Sequence, residues 1–130
     1  MKKVLSILSL ALVALAFVSC SKDTPEAVVE QYVAALQAGQ YEEALDLFHF
    51  KKDLTDQEKQ QYVSLMREKW SKELDQKGGI EGCEITNVET DSDGNSAVVN
   101  YVVKYSDGST KSSDAKLLKI DGKWKMDAGK

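Results

Sequence analysis

Apolar residues recur at the three-and-four spacing of helices through the first half of the chain, and alternate with polar ones near its end. Thr24-Pro25-Glu26 reads as a helix start, with a capping hydroxyl, a proline at the first helical position and an acid suited to the dipole. Val28, Val29, Tyr32, Val33 and Leu36 then mark one buried face, and Gly39 suits a left-handed stop. Tyr41 to Phe48 predicts a second, shorter helix, with Ala44, Leu45, Leu47 and Phe48 inward. Thr55-Asp56-Gln57-Glu58 matches a capping box. After it, Tyr62, Leu65, Met66, Lys69 or Trp70, and Leu74 continue a stripe to about Gln76, where Gly78-Gly79 breaks the helix.

The period then changes. Asp93-Gly94, Asp107-Gly108 and Asp121-Gly122 recur at fourteen-residue intervals, and Asp-Gly is a strong hairpin signal. Between them Ala97, Val99, Tyr101, Val103 and Tyr105 alternate with Val98, Asn100, Val102 and Lys104, while Trp124 and Met126 alternate with lysines. With Cys83–Thr90 in front, the pattern predicts a four-stranded antiparallel meander. Strand 95–105 is apolar on both faces, so it is expected under the helices on one side and near a second contact on the other. Helices followed by a meander imply an α+β domain with its helices on one sheet face.

The first residues carry a different message. Lys2 and Lys3 precede a mostly apolar run, Val4 to Val18, which suits a secretory signal and is short of the roughly 20 residues a spanning helix needs. Leu15-Ala16-Phe17-Val18-Ser19-Cys20 resembles the bacterial lipoprotein lipobox, departing from its commonest form at Phe17. The resemblance implies cleavage after Ser19 and lipidation of Cys20. It divides the chain into a signal peptide at 1–19, a lipidated tether at 20–23 and a single domain at 24–130. It also implies attachment to a membrane of the bacterial cell envelope, facing the periplasm or the cell surface, without spanning that membrane. An ordinary signal peptide cut near Ser19 is the plainer alternative.

Composition narrows the function further. Seventeen basic residues face 21 acidic ones for a net charge of −4, and loss of Lys2 and Lys3 would make the remainder more acidic. That argues against a nucleic-acid partner, which needs basic patches. If Cys20 carries lipid, Cys83 has no disulfide partner, and it reads as a small buried hydrophobe.

Thr24-Pro25-Glu26-Ala27-Val28-Val29-Glu30-Gln31-Tyr32, with Ala38-Gly39-Gln40-Tyr41-Glu42-Glu43-Ala44, resembles the opening of the nuclear-transport-factor-2-like superfamily. In particular it is similar to the short bacterial lipoproteins of unknown function grouped there, which also end in a motif like Asp121-Gly122-Lys123-Trp124-Lys125. The resemblance implies a cone, in which a curved sheet wraps a long helix and leaves a pocket at the open end. Its relatives include isomerases, dehydratases, transport factors and plain binding domains, so it says little of activity.

Enzymes of that superfamily set an acid or base and an oxyanion-stabilising Tyr or Asp in an apolar cavity. Here Tyr32, Asp46, Phe48, His49, Trp70 and Tyr101 are the candidates to line such a cavity. His49, between Phe48 and Phe50, either has a tuned imidazole or simply closes the short helix. Asp46 is most simply solvated. Asp91-Ser92-Asp93-Gly94-Asn95 begins like a calcium loop, but Ser96 and Val102 stand where its glycine and closing glutamate belong. One histidine and one remaining cysteine make no zinc site, and no cofactor is expected. Lys116, Lys119, Lys123 and Lys125 form solvated faces or gather into a basic strip. The expected function is therefore a lipid-anchored, non-enzymatic domain binding a small molecule or another envelope protein. An isomerase- or hydratase-like enzyme and a structural accessory subunit are the alternatives.

Overall fold

The computed structural model describes residues 24–129; the signal-like segment, Ser19, Cys20 and the tether lie outside them. Helix α1 (Pro25–Ala38) is capped as its sequence dictates: the Ala27 amide donates to Thr24 Oγ1, and Gly39 closes it at φ 75°. Its stripe of Val28, Val29, Val33 and Leu36 is buried. Helix α2 (Tyr41–Asp46) buries Tyr41, Ala44 and Leu45. It ends two residues earlier than the periodicity predicts, because Phe48–His49 forms strand β1 instead. His49 therefore does not close the helix; its carbonyl accepts from the Ala128 amide at 3.1 Å. Helix α3 (Asp56–Lys77) opens on the expected capping box and ends at Gly78, φ 80°.

Four longer strands follow: β2 (Ile80–Thr90), β3 (Ser96–Tyr105), β4 (Thr110–Ile120) and β5 (Lys123–Asp127). The meander is antiparallel as expected, and β1 adds a fifth strand, parallel to β5, to give the order β1-β5-β4-β3-β2. All three Asp-Gly pairs sit between paired strands, and at the last one Asp121 and Gly122 both take positive φ, 50° and 80°. That is the backbone a two-residue hairpin of matching twist requires. Register shifts between Ile80 and Gly82, and between Ile85 and Asn87, mark bulges in β2 of the kind that bend a strand.

One sheet face carries Ala97, Val99, Tyr101, Val103, Tyr105, Ala115, Leu117, Trp124 and Met126, all buried. Helix α1 packs on it, and Gln37 ties the two layers by donating to the Ile80 carbonyl at 2.9 Å. On the opposite face Val98 and Val102 are half-buried. Their cross-strand neighbours are Glu89 and Lys116 beside Val98, and Glu84 and Ser112 beside Val102. The four lysines do not gather into one strip. Lys119 leans over the Trp124 ring at 5.8 Å, and Lys125 donates to the Asp46 carbonyl at 2.9 Å.

Helix α3 departs further from expectation. Of its 22 residues only Val63 is buried, and Leu65, expected in the inner stripe, is 63% exposed. Tyr62, Met66, Trp70 and Leu74 are half-buried. The helix thus lies over the core with an aromatic edge that is incompletely covered.

Candidate functional site

Tyr32 lies at the margin of the α1 stripe, which leaves its ring half-buried. It meets Phe48 edge-on, with centroids 5.4 Å apart and planes at 81°. Phe48 is fixed there by pairing with Met126, whose amide donates to the Leu47 carbonyl at 2.8 Å. Beyond it, Phe50 contacts Tyr62 of α3 at 5.2 Å between centroids. Met66 and Trp70 follow Tyr62 at four-residue steps and so share its helix face. These side chains enclose an apolar recess of about 280 Å³, with Leu65 and Lys69 at its edge and Ala128 closing another side.

The polar groups in this recess are few. Burial pushes the Tyr32 hydroxyl up to about 12, the neighbouring Tyr101 adds to the rise, and a hydrogen bond with the Trp70 side chain opposes it. The hydroxyl is therefore a neutral hydrogen-bonding group at any physiological pH. Lys111 reaches from β4 to place its ammonium 5.6 Å from the Trp70 ring centroid and 3.5 Å from a Glu73 carboxylate oxygen. The first of these is a cation–π contact on the Trp70 ring.

Two further recesses adjoin the first. A polar one of about 380 Å³ shares Leu45, Phe48 and Phe50 with it, and contains Asp46, His49, Lys52, Asp53, Lys59 and Lys125. Asp46 is exposed there and pairs with Lys59 at 3.4 Å. The third, about 420 Å³, arises where the sheet parts: β4 pairs with β5 only from Leu117 onward, whereas Thr110–Lys116 pair with β3 alone. Tyr32, Phe48 and Tyr101 line it, with Asp114, Lys116 and Asp127 around them. Burial also raises the Tyr101 hydroxyl, against a hydrogen bond with Ser113.

Of the six residues expected to line a cavity, Tyr32, Phe48 and Trp70 meet in the apolar recess. Asp46 and His49 lie in the polar one, and Tyr101 in the sheet gap. Phe48 borders all three. The structure does not bring Asp46 or His49 together with the tyrosines. Cys83 is half-buried, and burial, with Glu30 nearby, raises its thiol above the ordinary value. Among the described residues no group of three or more His, Cys, Asp or Glu side chains is placed to hold a metal ion. Phe50 and Met66 were not expected at the site. Tyr62 and Met66 lie in the α3 stripe, and their spacing alone does not distinguish core from cavity wall.

The fold and site define the class of protein. The chain matches the family described as Domain of unknown function (DUF4878) over residues 18–127 and belongs to it. Among solved structures it is similar to a Campylobacter jejuni protein provisionally described as an NTF2-like transpeptidase. The TM-score is 0.68 at 19% identity, covering 80% of this chain and 97% of the other. It is also similar to a SEC-C motif-containing protein from Rhodopseudomonas palustris, with TM-score 0.55, 12% identity, and coverage of 82% and 77%. A DUF4783 family protein from Bacteroides ovatus gives TM-score 0.50, 15% identity, and coverage of 82% and 91%. No curated protein matches the chain. At these identities the likenesses speak for fold alone, and the domain has an NTF2-like fold.

Proposed function

We propose that this chain is a lipid-anchored protein of the bacterial cell envelope whose domain binds a small, largely apolar ligand between α1, β1 and α3. The observation that carries the binding reading is the recess enclosed by Tyr32, Phe48, Phe50, Tyr62, Met66 and Trp70. Concave, mainly aromatic linings with a few placed polar groups are the usual form of small-molecule sites. Tyr32 and Trp70 supply those polar groups. The anchoring reading rests on Leu15–Cys20 and on the mere three residues between Cys20 and the Thr24 cap, a tether short enough to keep the domain close to its membrane.

Catalysis has less support. The Campylobacter jejuni neighbour's description invites an acyl-transfer reading, which requires a nucleophile activated by a nearby base. Cys83 has a raised thiol beside Glu30, the reverse of activation. Asp46 sits exposed against Lys59.

The binding reading is tested by thermal unfolding of the protein with increasing 1-octanol, beside a Phe48→Ala variant. A melting temperature that rises with octanol in the parent and stays flat in the variant is expected. No rise in the parent contradicts the reading. For anchoring, the parent is expected in the membrane fraction with its mature N-terminus acylated at Cys20, and Cys20→Ala is expected to abolish acylation.

A further inference from the structure

The apolar recess does not end in solvent on every side. Leu45, Phe48 and Phe50 form a wall common to it and to the polar recess, so the two lie back to back along the segment that links α2 to α3. On α3, Lys59 in one recess and Tyr62 in the other are separated by a single turn. The polar side carries Lys52, Lys59 and Lys125 against Asp46 and Asp53, with His49 beside them. Three ammonium groups against two carboxylates leave this spot locally positive on a chain whose net charge is −4.

We propose that the two recesses form one site for an amphipathic anion: an apolar chain or ring seated against Trp70 and Phe48, with a carboxylate or phosphate head on Lys59 and Lys125. This deepens the proposed binding function and rests on it. The cationic groups are available at small cost. Lys59 and Asp46 are half or more exposed, 50% and 62%, and an exposed pair of this kind contributes little. Among the described residues Lys125 is held only by the Asp46 carbonyl, a neutral acceptor, and an anionic head would offer its ammonium an opposite charge. Size agrees as well. A volume of about 280 Å³ takes roughly nine groups of water size, at about 30 Å³ each. Phe50 stands where tail and head would meet, because it lines both recesses and contacts Tyr62.

The test compares octanoate, octyl phosphate and 1-octanol binding by calorimetry to the parent, to a Lys59→Gln/Lys125→Gln double variant and to Lys123→Gln, a substitution at the hairpin end of β5. The expected result is that the anions bind the parent about fivefold or more tightly than octanol, an advantage of the size two partly exposed charge contacts give. The double variant should lose that advantage while keeping its octanol affinity, which also reports an intact fold, and Lys123→Gln should behave as the parent does. Equal affinity for all three ligands, or an advantage that survives in the double variant, overturns the amphiphile assignment and leaves the apolar site standing. Failure of every ligand to bind overturns both.

Discussion

Tyr32 and Tyr105 show how one residue type does different work at two depths. Tyr32 keeps its proton to about 12, against an ordinary value of 10.0, mainly because burial disfavours the phenolate. An unfolded chain would release that proton near the ordinary value. Stability from this source is therefore intact below pH 10 and falls as pH rises from 10 towards 12. Tyr32→Phe is expected to flatten this alkaline loss in denaturant melts across that interval, leaving a residual slope from Tyr101 and Tyr105, whose hydroxyls are also raised. An unchanged slope would mean that the hydroxyl is solvated. Tyr105 is 1% exposed, and its hydroxyl is buried with no hydrogen-bond partner among the described residues. A buried hydroxyl left unpaired costs stability, whereas an apolar group of the same shape does not. Tyr105→Phe should be neutral or stabilising by up to about 1 kcal/mol. A loss of that size would instead reveal a partner for the hydroxyl.

Among the elements, those whose ends are written in local hydrogen bonding were legible in the sequence. Thr24, Gly39, the Thr55–Glu58 box, Gly78 and the three Asp-Gly turns each act within a few residues, and each stands where the pattern puts it. Strand β1 was not legible. Its two residues exist because Phe48 pairs with Met126, far along the chain, and two apolar residues after a short helix read locally as more helix. The same non-local pairing builds the site, since it sets Phe48 between the recesses. The capping box also makes α3 sensitive to acid. The Thr55 amide donates to Glu58 Oε1 at 3.0 Å, and this bond, foremost, holds the Glu58 carboxyl below its ordinary value. Stability from it is present above that ordinary value and lost as pH falls through the lowered one. Glu58→Gln keeps an acceptor oxygen without the titration, so its unfolding midpoint should change less with pH below about 5 than the parent's. Parallel curves for the two proteins would contradict this.

At the scale of the whole molecule, α1 packs closely on the sheet while α3, with one buried residue, covers it loosely. That imbalance leaves the aromatic edge of α3 facing Tyr32 and Phe48 across a cavity. Sequence periodicity carried the α+β class and most of the inward faces. It did not carry the cavity, because Tyr62, Met66 and Trp70 have the same spacing whether they fill a core or line a recess. The parting of β4 from β5 was equally invisible, since it depends on where β5 turns to meet β1. The proposed function joins the signal-like start of the sequence to this loosely covered aromatic recess. The most direct test is a titration of the isotope-labelled protein with 1-octanol, followed by amide and side-chain NMR shifts. The account predicts saturable shifts centred on Tyr32, Phe48, Tyr62, Met66 and the Trp70 indole. Shifts confined to the outward face of β3 and β4, or none at all, would contradict it.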